Sequence, residues 1–286
     1  MNPPHLPPQH NLKLFHFDKI FLPVKLKIDR AAELLDNLIP VLTNFKNNQS
    51  KNICIHPEWT DDGRQYSLIA SGNITTPPEL SLYIGEIIHQ LRSSLDHLVC
   101  ALASYNGASI KKSHQYPICK TQADFETAKS KGRLSGLSKP AALEIETSQP
   151  YNNTANLTSD ILYVLNDLSN TDKHRSLLLT VCAAKMGDTV NIGNSNPHDH
   201  PTIVNMSTPD PVLLTTDGLP IFSIGLLEPT PSFYATIETN IIIGLHDVYP
   251  TNIIPVEEVL SLTIKRVLEL FGAIITKSTT PTSPIL

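Results

Sequence analysis

At 286 residues, 41% hydrophobic and 17% charged, the chain is large enough to bury a real core and too apolar for a disordered polymer. A formal net charge of −5 argues against a broad basic face coated by nucleic acid, while leaving room for a small basic pocket that grips one phosphate. The four cysteines, Cys54, Cys100, Cys119 and Cys182, lie far apart with no Cys-x-x-Cys pair, which reads as reduced thiols in a cytoplasmic protein.

The opening MNPPHLPPQH carries four prolines and no apolar stretch of the kind a secretory signal needs, so residues 1–11 are expected to form an extended tail. No apolar run approaches the roughly 20 residues of a membrane span, and no membrane partner is expected. A first amphipathic helix is predicted from Ile28, Ala31, Leu35, Leu38, Leu42 and Phe45, bent near Pro40. "NICIHPEW" and "RQYSLIASG" flank Asp62-Gly63 and predict a β-hairpin, with Trp59 packing on it. A second helix carries Ile84, Ile88, Leu91, Leu95, Leu98 and Leu102, and a third carries Ile161, Leu165 and Leu168.

From about Leu177 to Leu245 the pattern turns to strands. The clearest alternates Phe233, Ala235, Ile237, Thr239 and Ile241 with Tyr234, Thr236, Glu238 and Asn240. A fourth helix, with Leu260, Ile264, Val267, Phe271 and Ile274, opens on Pro255 and the acidic pair Glu257 and Glu258, as a helix N-terminus prefers. The expected fold class is α+β: a helical bundle core, a β-hairpin insertion, and a C-terminal antiparallel β region followed by a final helix. One domain is expected over residues 12–276, its helical core at 20–176 and 255–276 and its β region at 177–250, with a second tail at 277–286.

The chemistry-bearing residues interrupt the helices. With Ile84 at the centre of the buried face, Arg92 falls about 80° away on the border of the core, Asp96 at about 120°, and His97 at about 220° on the far side. Arg92 and Asp96, four apart, can meet; Arg92 and His97 cannot meet on their own helix. The plainer reading is a solvated intrahelical pair beside a surface histidine. The sharper reading places Arg92 and His97 at an interface, where small residues (Gly85, Ser93, Ala103) let another helix approach.

A second block prolongs the stripe of Ile161, Leu165 and Leu168 into Asp172 and Arg175, with Lys173 and His174 on the same turn. If the helix persists, two charges face the core and need partners, for which Arg92 and Asp96 are the candidates. If the helix ends there, Lys173, His174 and Arg175 are a cationic last turn favoured by the helix dipole.

Taken in order, Gly85 to His97 with its Leu-Arg-Ser-x-Leu-Asp-His core, Tyr116-Pro117-Ile118, Gln149-Pro150-Tyr151, and Leu165 through the Asp-Lys-His-Arg of 172–175 resemble a group of uncharacterised bacterial proteins. That likeness spans roughly residues 20 to 180. A wider resemblance is to the HEPN superfamily, helical bundles that include metal-independent ribonucleases of toxin and defence systems. Their active motif is an arginine, four to six residues, then a histidine, completed by dimerisation. Arg92 to His97 fits that spacing, though Ser93 stands where a more polar residue commonly follows the arginine.

The resemblance implies RNA cleavage by a homodimer. His97 would be the general acid or base, Arg92 the phosphate clamp, and Asp96 would orient one of them. The alternative from another class is a non-enzymatic binding or scaffold protein in which Arg92, Asp96, Asp172 and Arg175 form a structural ionic network.

Other signals are thin. His198 and His200 in "NPHDHPT" would share a face on a strand as metal ligands, but the prolines favour a loop with no third ligand evident. His56, His114 and His246 read as structural histidines. Phosphate-loop, dinucleotide-binding and Gly-x-Ser-x-Gly signatures are lacking, so no cofactor and no metal are expected.

Overall fold

The computed structural model describes residues 19–153, 160–174, 180–209, 211–245 and 253–279, with the main chain alone for 174, 180–182 and 279. Six helices lie among them: α1 (Leu22–Gln49), α2 (Pro78–Tyr105), α3 (Gln122–Ser130), α4 (Lys139–Thr147), α5 (Ile161–His174) and α6 (Val256–Thr279). Seven strands accompany them: β1 (Cys54–Trp59), β2 (Gln65–Ser71), β3 (Thr180–Asn194), β4 (Ile203–Ser207), β5 (Val212–Leu213), β6 (Leu219–Leu226) and β7 (Phe233–Leu245). The fold is therefore α+β, with antiparallel pairing throughout. The chain divides into two compact units, one from Met1–Asn37, Leu82–Leu177 and Glu257–Leu286, the other from Leu38–Ser81 and Leu178–Val256.

The helical unit forms where apolar residues recur at three and four. Ile84, Ile88, Leu91, Leu95, Leu98 and Leu102 of α2 are all buried, and so are Leu165 and Leu168 of α5. The buried stripe of α6 is Leu260, Ile264, Val267, Phe271 and Ile274, as its spacing predicts. The shorter helices are started by side chains. Thr121 accepts from the Asp124 N–H to cap α3, and Ser138 accepts from the Ala141 N–H to cap α4. α1 continues as one helix through Pro40, which is exposed, so the carbonyl it cannot serve lies on the solvent side. One detail differs from the sequence reading. α6 extends to Thr279, three residues into the expected tail; residues 1–11 and 280–286 lie outside the described residues.

The second unit holds two sheets. The hairpin pairs Trp59 with Tyr66 and Cys54 with Ser71 across a turn in which Gly63 takes a φ of 66°. Asp62 orders that turn by accepting from the Thr60 hydroxyl and from the Arg64 N–H. The hairpin is not a free-standing insertion: β2 pairs with β6, giving a four-stranded sheet in the order β1-β2-β6-β4. The other sheet runs β5-β3-β7. Their facing side chains, Tyr66, Leu68, Phe222, Ile224 and Leu226 from one sheet and Phe233 and Ala235 from the other, make a single apolar cluster. Trp59, Tyr66 and Phe233 meet edge to face, with centroids 5.0 Å apart for Trp59–Tyr66 and 5.2 Å for Tyr66–Phe233. The alternation read in β7 holds from Phe233 to Asn240, then gives way to five buried residues, Ile241 to Leu245.

Candidate functional site

α2 brings Arg92 inward. Its residue is 5% exposed, so the solvated-pair reading does not describe it. Nη1 donates to Asp96 Oδ1 at 2.6 Å, and Nη2 donates to the carbonyl of Tyr116 at 2.9 Å. The same Asp96 Oδ1 accepts from the Tyr116 N–H at 2.9 Å. One residue of an irregular segment thus has both main-chain polar groups taken up by a guanidinium and a carboxylate one helical turn apart. Tyr116 is fully buried. Its N–H and C=O would each be costly to bury unpaired, and none of the described strands pairs with this segment. The Arg92–Asp96 pair supplies the donor and acceptor that a neighbouring strand would.

The Tyr116 side chain carries the network onward. Its hydroxyl meets Ser148 Oγ at 2.6 Å, and Ser148 Oγ donates to the Ile145 carbonyl at 2.7 Å, so the tyrosine is the donor of the pair. Burial drives the phenol from its ordinary 10.0 up to about 12, opposed by the Ser148 hydrogen bond and by the charges of Arg266 and Arg92. Next in chain, Gln149 is 1% exposed; its Oε1 accepts from the Cys119 N–H at 3.0 Å, and its Nε2 donates to the Ile145 carbonyl at 2.8 Å. The segment 116–119 is thus held on one side by α2 and on the other by the end of α4.

These contacts fall on the blocks singled out by sequence. The Arg92 and Asp96 of the first grip the Tyr116 of the second, which with Cys119 is bonded to Ser148 and Gln149 at the third. The first and fourth blocks also meet, at Gly85. A Cβ built there would stand 2.6 Å from Asp172 Oδ1, so any larger residue must push the Asp172 carboxylate of α5 aside. The helix that approaches the small residue belongs to the same chain. α5 does persist through Asp172, which is half-buried, while Lys173 is exposed. Asp172 lies two turns back from Arg92 along α2, and the carboxylate paired with Arg92 is that of Asp96. The expected pairing of Arg92 with Asp172 is thereby corrected. Arg175 and the His174 side chain lie outside the described residues.

His97 takes the other side of α2, exposed, as the helical angle requires. Partial desolvation lowers its pKa below the usual 6.5, helped by the nearby charge of Lys27 and opposed by Asp96. Arg92 and His97 are not brought together within the chain. His198 and His200 sit exposed in the loop after β3. His114 is buried, accepting from the Lys111 N–H through Nδ1 and contacting Ser135 Oγ through Nε2, a satisfied structural histidine. His246 lies outside the described residues. Cys54, Cys100 and Cys119 are free thiols. Among the described residues no helix is long and apolar enough to cross a membrane.

Sequence reasoning missed two participants. Nothing marked the main chain of Tyr116 as the target of Arg92, although the Tyr-Pro-Ile and Gln-Pro-Tyr elements pointed at the neighbourhood. Arg266, on the border of the α6 stripe, had no signal at all. It lines a cleft of about 420 Å³ beside Thr147, Ser148, Gln149 and Asn152, directly behind the Tyr116–Ser148 contact. Comparison with protein-family models, with curated proteins and with solved structures returns no match for this chain.

Proposed function

We propose that the chain is a non-enzymatic binding protein in which Arg92 and Asp96 act as a structural lock, fixing the wall that faces the Arg266 cleft. The observation that carries this reading is the state of the guanidinium: buried, with both Nη atoms committed to partners within the fold. A phosphate clamp must present free donors to its ligand. Recruiting Arg92 would break its bonds to Asp96 and Tyr116 and leave buried groups unpaired. The test compares melting curves of the wild type, Arg92→Lys and Arg92→Ala. A lock requires both variants to melt well below the wild type, because a lysine cannot span two acceptors with a planar fork. If Arg92→Ala melts with the wild type, the reading fails.

His97 supports a second reading, the HEPN-like ribonuclease. It is exposed and held toward its neutral form, as a general base requires, with the Lys27 cation nearby. On this geometry Arg92 would stay in the fold, and the cation at the phosphate would come from Lys27 or from a second copy of the chain. Wild-type protein that cleaves RNA no faster than His97→Ala removes this reading.

A further inference from the structure

The cleft behind the Tyr116–Ser148 contact is lined by Thr147, Ser148, Gln149, Asn152, Asp160 and Arg266, among others. At about 420 Å³ it lies toward the small end of the roughly 300–1,000 Å³ typical of small-molecule sites. Much of its polar lining is already occupied. Gln149 is bonded at both ends, Ser148 Oγ serves Tyr116 and Ile145, and Asn152 Nδ2 donates to the Glu146 and Thr147 carbonyls. Asp160 Oδ1 accepts from the N–H groups of Leu162 and Tyr163, capping α5.

What remains is specific. Among the described residues the Arg266 guanidinium has no hydrogen-bond or ion-pair partner, and neither has Asp160 Oδ2. The two are the formal charges among the described lining residues, and they do not pair with each other. A guanidinium and a carboxylate facing one cleft, held apart, present complementary ends to a guest. An anion alone would meet repulsion from Asp160, and a cation alone would meet repulsion from Arg266. A dipolar molecule satisfies both.

We propose that this cleft binds a small zwitterion of the α-amino-acid class, its carboxylate on Arg266 and its ammonium on Asp160. The inference rests on the binding-protein reading above and names the ligand of that protein. The lock braces one wall of the cleft, since Ser148 is bonded to Tyr116 and Gln149 to Cys119.

The test is isothermal calorimetry on the full chain with each of the twenty standard amino acids, and with acetate, inorganic phosphate and methylammonium as single-charge controls. Arg266→Gln and Asp160→Asn are the variants, the latter keeping an oxygen to cap α5. The expected result is saturable binding of one or more amino acids, weakened by about tenfold or more in each variant, with the controls at least as much weaker. Three results overturn the proposal: no amino acid binds, acetate or phosphate binds as tightly as any amino acid, or Arg266→Gln binds undiminished. Failure here with Arg92→Ala strongly destabilised sinks the ligand and leaves the lock standing. Loss of the lock shows in the melting curves whatever calorimetry returns.

Discussion

The two units solve the same problem of burial with different materials. The β unit closes its sheets over Tyr66, Leu68, Phe222, Ile224, Leu226 and Phe233, and its notable buried polar atom, the Tyr66 hydroxyl, shares two 3.3 Å contacts with the main chain of Ala235. The helical unit buries an arginine, a serine, a glutamine and a tyrosine hydroxyl in one connected chain of hydrogen bonds. An apolar interface tolerates exchange among residues of similar volume. A polar one depends on every member, because losing one partner strands the other in a medium where it has no water. The helical unit should therefore respond to polar substitutions as the β unit responds to apolar truncation.

The largest effects test that contrast directly. Arg92→Ala should cost about 3–5 kcal/mol, since it leaves Asp96 and the Tyr116 carbonyl without their partner, and should lower Tm by about 10 °C. Its counterpart in the β unit is Phe222→Ala, expected to cost about 3–5 kcal/mol through the cavity left between the sheets. Chemical denaturation measures both, and Arg92→Ala falling within 1 kcal/mol of the wild type would erase the distinction. Gly85→Ala comes next, at about 1–3 kcal/mol, because its methyl group must displace the half-buried Asp172 carboxylate.

Tyr116→Phe is smaller, about 1 kcal/mol for one buried hydrogen bond, but it carries a pH signature. The folded phenol titrates at about 12 against 10.0 for the free group, so the folded state holds its proton longer. Stability from this group is complete below pH 10 and is lost as pH climbs from about 10 to 12. The phenylalanine variant should lose that part of the alkaline slope, seen as a smaller fall in Tm across the interval. The least effect is expected at His97→Ala, within about 0.5 kcal/mol, since the side chain is exposed. A large loss there would place His97 in the fold's support instead of on its surface.

Periodicity carried most of the architecture. The stripes of α2, α5 and α6 and the alternation of β7 were legible because each residue's burial is set by its angle on its own element. Strand order was not: that β6 would sit between β2 and β4 depends on pairing across more than 150 residues, and alternation says nothing of neighbours. The site divides the same way. The 80° angle put Arg92 on the border of the core and allowed its pair with Asp96. The third member is a peptide group at position 116, and a backbone amide has no signature in a sequence of side chains. Asp172 offered itself as the partner because it is charged; the partner chosen needed only to be buried and unpaired.

Because α2 seizes Tyr116 by its peptide groups, the identity of the residue at that position is irrelevant to the grip itself. Selection on the side chain acts through the packing of its fully buried ring and through the hydrogen bond to Ser148. Relatives of this protein could therefore exchange the tyrosine and the serine together while keeping arginine and aspartate unchanged. Proline is the one residue barred from position 116, since it has no proton to offer Asp96.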